Sequence, residues 1–223
     1  MMREAEFVYA ASFGTGARVV GVTGMVSGSG VSWVASGLAV RAARQKKTLL
    51  FDLSGRTVER GSNLAWEPDD DSGIAGQIVQ DAQGFSRLTA MIGPEGSFAF
   101  RSVFAMRQLF DQTLATYQAI VVDLAPLKPA ERVAVPVETI AAACDGVILV
   151  CLAGRVIRPD AAAAAETLRN AKAHLYGIVI NDRDNPTTGE EIAESALRLR
   201  RFAPGLTRKI ADMVRRSSIL NSD

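Results

Sequence analysis

Along the chain, short unbroken apolar runs alternate with longer stretches in which apolar residues recur every three or four positions. The runs at residues 19–22, 48–53, 118–124, 146–152 and 175–180 lack the apolar–polar alternation of a half-exposed strand. They read as strands buried on both faces of a parallel sheet. Between them, residues 31–44 place Val34, Leu38 and Ala42 at helical spacing. Residues 102–116 do the same with Val103, Met106, Leu109, Phe110 and Leu114, the stripe of an amphipathic helix. Further helices are expected at 73–82, 137–143 and 159–173, the last opened by Pro159, which suits a first helical turn. A further strand is expected at 87–92, ahead of the Gly93-Pro94 break. Residues 1–16 read as an arm ending in a loose Gly14-Thr15-Gly16 turn, 54–72 as a long polar loop, and 188–219 as helix broken near Pro204-Gly205. Alternating strands and helices predict an α/β fold: a mostly parallel sheet flanked by helices on both faces. The expected organisation is an N-terminal arm (1–16), one domain (17–185) and a helical, basic tail (186–223) packed on the domain or extending from it.

The stretch from residue 18 to residue 33 organises this fold. An apolar strand is followed by a turn holding Gly24, Gly28, Ser29 and Gly30, and then by a helix that opens Val31-Ser32-Trp33. Glycines let the backbone approach closely and take positive φ, and the free N–H groups of a first helical turn point at an anion. The order strand, glycine loop, helix therefore builds a phosphate cradle. The usual phosphate loop closes Gly-Lys-Ser or Gly-Lys-Thr; here it closes Gly30-Val31-Ser32. The hydroxyl that would hold Mg²⁺ is present, whereas the lysine that would reach the β- and γ-phosphates is a valine. No lysine lies between Met1 and Gln45 to replace it.

In a parallel sheet, ligands sit at the carboxyl ends of the strands. Asp52, Asp123 and Asn181 end three of the expected strands, so that with Ser32 four polar groups can converge on one pocket. Trp33 reads as core packing or as a plug over the phosphate site. Asp69-Asp70-Asp71 read as a solvated loop ahead of a helix start, and His174 as a residue without chemical role.

Composition narrows the picture. The 223 residues carry a net charge of +1, which gives no global attraction to nucleic acid. The two cysteines, Cys144 and Cys151, lie in or beside an apolar run and read as small buried hydrophobes. No apolar run approaches the roughly 18–20 residues needed to span a bilayer, and the start has no signal-peptide pattern, so a cytoplasmic protein is expected. The tail is the exception to the balanced charge. Arg198, Arg200, Arg201, Arg208, Lys209, Arg215 and Arg216 face one acid, Asp212, while Leu206, Ile210, Met213 and Val214 share a helical face. Such a helix suits an ordinary docked surface helix, an anionic membrane surface or a partner groove.

Taken together, these motifs resemble the bacterial tyrosine kinases of the MinD/ParA-related P-loop class, the cytoplasmic half of polysaccharide co-polymerases. The resemblance covers roughly residues 17–185. It rests on the loop Thr23 to Ser32, the acidic strand end Leu49-Leu50-Phe51-Asp52, and the segment Tyr117-Gln118-Ala119-Ile120-Val121-Val122-Asp123-Leu124-Ala125-Pro126. Residues 144–158 and 177–181 complete it. It implies a P-loop NTPase-like fold that holds ATP or ADP through Gly28, Ser29, Gly30, Val31, Ser32, Trp33, Asn181 and Arg183. Mg²⁺ would be held at Ser32, Asp52 and Asp123, and Asp52 and Asp123 would be catalytic if the site is active.

The departures are the missing loop lysine, the bulky Trp33, Ser54 standing two residues after Asp52, the absent tyrosine-rich tail and the absent assembly motif near the family's start. A charge-assisted hydrogen bond contributes about 1.5–3 kcal/mol, so nucleotide binding should be weakened about 10- to 150-fold. Removing one preorganised electrostatic donor costs about 10²–10³ in rate. Arg56, Arg155, Arg158 or an arginine of a second subunit could compensate.

The resulting expectation is a protein with little or no ATPase or kinase activity. It would be a regulatory or structural partner of a membrane-bound polysaccharide co-polymerase, or of another envelope protein, in exopolysaccharide synthesis and export. It would be cytoplasmic or peripheral at the inner membrane, with homodimerisation across the nucleotide face open and no nucleic acid as partner. The competing expectation is an active MinD/ParA-type ATPase that positions a cell-envelope assembly; an active tyrosine kinase is disfavoured.

Overall fold

An interior strand of the sheet, β1 (Val19–Gly24), is buried along its whole length. It pairs in parallel with β5 (Ala119–Leu124) on one side and β6 (Gly146–Leu152) on the other. The computed structural model describes residues 2–54, 74–90, 99–129, 135–154 and 158–182. Beyond β5 lies β2 (Thr48–Leu53), then β4 (Ser86–Thr89). Beyond β6 lies β7 (Leu175–Asn181). A two-residue β3 (Val79–Gln80) runs antiparallel to β4. The sheet order is β3-β4-β2-β5-β1-β6-β7.

Successive strand residues point to opposite faces, and each face meets its own helices. Val20, Val22, Leu50 and Val121 pack with α1 (Met2–Ala11) and α2 (Val31–Ala43). On the other face, Leu49, Phe51, Ile120 and Val122 pack with side chains of α3 (Val103–Gln108), α4 (Val137–Ala143) and α5 (Arg158–Asn170). The expected α/β architecture, mostly parallel with helices on both faces, is what the chain forms. The α2 stripe is the one its spacing predicts: Val31, Val34, Ala35, Leu38, Ala39 and Ala42 are buried. Cys144 and Cys151 are free and buried, and burial pushes both thiols above their ordinary pKa. Among the described residues no helix is long and apolar enough to cross a membrane.

Three segments differ from the sequence expectation. The expected arm is a helix: Tyr9 and Phe13 are 7% and 2% exposed. Arg41 of α2 lies 4.0 Å over the Tyr9 ring and donates to the Glu6 carboxylate, which holds that carboxyl below its usual pKa. A short isolated helix is marginal in water; α1 exists because α2 supplies the surface it covers. The helix expected at 73–82 is instead a 3-10 turn, Ala75–Gln77, followed by β3. Finally, the helix expected at 102–116 is α-helical through Gln108 and then forms a π turn, Leu109–Thr113. Leu114 N donates to Leu109 O at 2.9 Å. The wider turn lets Leu109, Phe110 and Leu114 all bury at 1% exposure, and Arg18 Nη2 donates to the Phe110 carbonyl at 2.9 Å. The polar loop beyond Ser54, Asp69-Asp70-Asp71, the Gly93-Pro94 break and the tail lie outside the described residues.

Phe51 is fully buried and meets Phe110 edge-on at 6.5 Å. Phe51→Ala is expected to cost about 3–5 kcal/mol, read as a lower denaturant midpoint at unchanged slope. Phe104→Ala, at a residue 77% exposed, should change stability by less than about 0.5 kcal/mol.

Candidate functional site

Where β1 leaves the sheet, its neighbours go with it. Met25 N donates to Val150 O of β6 at 3.3 Å, Leu127 N to Gly24 O at 2.8 Å and Lys128 N to Met25 O at 2.9 Å. The buried Thr23 hydroxyl donates to Ala125 O at 2.7 Å. The loop after β1 is thus stitched to the segment after β5 before it turns. Ser29 then closes the turn internally: its N–H and hydroxyl both donate to Val26 O, at 3.3 and 2.6 Å. Gly28 and Gly30 carry φ of +84° and +88°, the left-handed region that any Cβ disfavours. Gly30 is the residue before α2, and its carbonyl accepts from Trp33 N and Val34 N, both at 3.1 Å. The first-turn N–H groups of α2 and its positive dipole end face the loop, which suits an anion.

The polar strand ends lie along the same edge of the sheet. Asp52 and Asp123 are register partners on β2 and β5, and Asp123 is also opposite Val22 of β1. Asp123 is 2% exposed. Asp52 Oδ1 accepts from Ser54 N at 3.0 Å and from the Ser54 hydroxyl at 2.7 Å, so Ser54 orients that carboxylate. Asn181, at the end of β7, donates its Nδ2 to Ser29 O at 2.9 Å. A Cβ at Gly30 would overlap this amide. Ser32 is half-buried at the start of α2. Arg183 lies outside the described residues, as do Arg56 and Arg155.

Two residues settle how the loop is altered. Val31 turns inward: it is 9% exposed, belongs to the core between α2 and the sheet, and a Cβ at Gly24 would stand 2.8 Å from its Cγ2. Position 31 therefore contributes apolar packing and no charge. Trp33 corrects the expectation of core packing. It is 54% exposed, because its place in the first turn of α2 points away from the sheet that receives Val31 and Val34.

The donor types fit a magnesium–phosphate group in part. Ser32, Asp52 and Asp123 supply the hard oxygens that Mg²⁺ takes. Among the described residues no group of three His, Cys, Asp or Glu could hold a metal ion. The two positive-φ glycines leave the loop backbone bare. The fit fails at position 31, where no cation meets the outer phosphates. The replacements that the sequence offers are arginines; Lys128, which it does not single out, is exposed and forms a parallel bridge with Val26 of the loop. It lies five residues past Asp123, on the segment that follows β5.

No family model matches the chain, and no curated protein matches it. Solved structures do. The chimerical protein CapA2B2 superposes with a TM-score of 0.67 at 20% identity, over 80% of this chain and 83% of that one. The kinase domain of the Escherichia coli tyrosine kinase ETK superposes at 0.62 and 22% identity, over 74% of this chain and 67% of its own. Cobyrinic acid a,c-diamide synthase from Mycobacterium smegmatis, solved with bound ADP and magnesium, superposes at 0.55 and 14% identity, over 73% of each chain. At these identities the likeness is one of fold, and the fold is the α/β fold of P-loop NTPases.

Gly28 and Gly30 test the loop geometry. Nothing lies within 4 Å of a Cβ at Gly28, so Gly28→Ala should cost the left-handed strain alone, about 1–2 kcal/mol. Gly30→Ala should cost about 1 kcal/mol more, because the Asn181–Ser29 hydrogen bond must also move. Thermal unfolding of both variants, with Gly30→Ala repeated in an Asn181→Ala background, checks this: the excess should vanish in the double variant.

Proposed function

We propose that this chain is a tyrosine-kinase-like P-loop protein whose phosphate loop is degenerate. It serves as a regulatory or structural partner of a membrane-bound polysaccharide co-polymerase in exopolysaccharide synthesis and export. The observation that carries the proposal is Val31, folded into the core beneath a loop that is otherwise built for phosphate. The fold shared with a tyrosine kinase domain and the motifs at Asp52 and Asp123 support the family. The valine supports the loss of turnover.

Phosphoryl transfer relies on positioning and charge stabilisation, and the chain's own residues divide that work unevenly. The loop backbone and the start of α2 bind phosphate oxygens. Ser32, Asp52 and Asp123 would hold Mg²⁺, which, when bound, neutralises charge between the outer phosphates. Ser54 orients Asp52. No side chain of the loop itself is fixed against the terminal phosphoryl group; a cation reaching in from outside the loop on a flexible stem helps to hold nucleotide but lacks the preorganised placement that efficient transfer needs. A sheet with helices on both faces does not need turnover to stand, and it offers an interaction platform. The reading of the basic tail as a membrane-surface or partner contact belongs to the same proposal, as does a homodimer across the nucleotide face.

Purified protein should show neither ATP hydrolysis nor tyrosine phosphorylation above background. Val31→Lys should tighten ATP binding about 10- to 150-fold in calorimetric titration with Mg²⁺, while lowering stability because an apolar contact is lost. Robust magnesium-dependent turnover in the unaltered protein, abolished by Asp123→Ala, would overturn the proposal in favour of an ATPase switch of the MinD/ParA type.

A further inference from the structure

The geometry points to Lys128 as the cation of this phosphate loop. We propose that it supplies, from the segment after β5, the positive charge that position 31 does not. The ligand class is a nucleoside di- or triphosphate, met at its phosphates by Lys128 and the loop backbone. This rests on the reading of the loop as a phosphate site and names the group that completes it.

The placement follows from the backbone. Leu127 N donates to Gly24 O and Lys128 N to Met25 O, at 2.8 and 2.9 Å, and Lys128 pairs with Val26 as a parallel bridge. The segment after β5 therefore continues beside the loop as an extra rung beyond the sheet edge, and Lys128 rides next to the loop's second residue. Thr23 fixes the same segment three residues earlier through Ala125 O. Proline 126 stands between these two anchors, and its ring limits how the segment can move. Lys128 is exposed at the carboxyl edge of the sheet, the edge where Asp52 and Asp123 end their strands.

The side-chain chemistry suits the role. A lysine carries a compact charge on a flexible four-carbon stem and can meet a phosphate oxygen from a range of directions. It does not need the fixed entry that a loop lysine has. Other basic residues near α2 lie at its far end: Lys46 Nζ donates to Phe13 O and Lys47 Nζ lies 5.0 Å from the Tyr117 ring centre. The thirteen residues of α2 put them about 20 Å from the loop.

Titration of the full-length chain with ATP, ADP and inorganic phosphate, each with Mg²⁺ at low salt, tests the assignment. Lys128→Ala should weaken ATP about fivefold, the effect of removing one solvent-screened charge contact, and Lys128→Arg should restore most of it. The salt dependence of binding should fall in Lys128→Ala. Lys47→Ala, an equal loss of charge at the opposite edge, should bind as the unaltered protein does. In a Val31→Lys background, where the loop has its own cation, Lys128→Ala should cost less than twofold. Lys128→Ala binding ATP as tightly as the unaltered protein would overturn the assignment and leave the phosphate site standing. Failure of the unaltered protein to bind any of the three probes would overturn both.

Discussion

The loop after β1 is held by bonds that extend the sheet beyond its own edge. β1 is already flanked by β5 and β6 when it ends, and the hydrogen-bond ladder does not stop there. Gly24 and Met25 continue to accept from the segment after β5, Met25 donates to β6, and Thr23 reaches across to Ala125. The loop is thereby clamped between two strands before it makes its turn. Its glycines then need only supply the left-handed residues that bring the chain into α2. The shape of the loop is set by the hydrogen bonds of the sheet, and none of them involves the side chain at position 31.

The same clamp divides binding from chemistry. Backbone N–H groups and a helix dipole are properties of the fold, so they persist as long as β1 and α2 do. A charge at the outer phosphates is a property of single side chains and can be lost or relocated without disturbing the core. Val31 and Trp33 show the two sides of this. One has been taken into the apolar layer below the helix, and the other stands in solvent above it. Asn181, meanwhile, ties the edge strand β7 to the loop through Ser29, so the loop is anchored from the central strands and from the sheet edge.

Much of the fold was legible in the residues because the central strands are uninterrupted apolar runs. β2, α4 and β6 have the limits their patterns predict. What sequence could not show depended on tertiary contact. α1 is too short to announce itself, and Tyr9 on it and Phe13 in the turn after it face the core only because Arg41 and the rest of α2 are there to meet them. The π turn at Leu109–Thr113 inserts a residue into a periodic pattern that reads as plain α-helix. Of the candidate site, Asp52, Asp123 and Asn181 follow from the strand-end rule as candidates, and they lie at the ends of β2, β5 and β7, on the same edge of the sheet as the loop. Trp33 was misjudged because a large aromatic side chain signals a core in general and not the face on which it sits. The nearness of Lys128 to the loop is a matter of strand order, with β5 next to β1, and strand order is not written in local sequence.

The burial of Val31 also decides when position 31 contributes to the molecule. An aliphatic side chain absorbed into a packed layer contributes to every folded molecule, whether or not ligand is present. A lysine placed at that position would gain its attraction only while a phosphate is bound, and would forgo the packing always. The valine thus ties α2 to the sheet in the empty state as firmly as in an occupied one, and the loop keeps its floor whether or not anything lies above it.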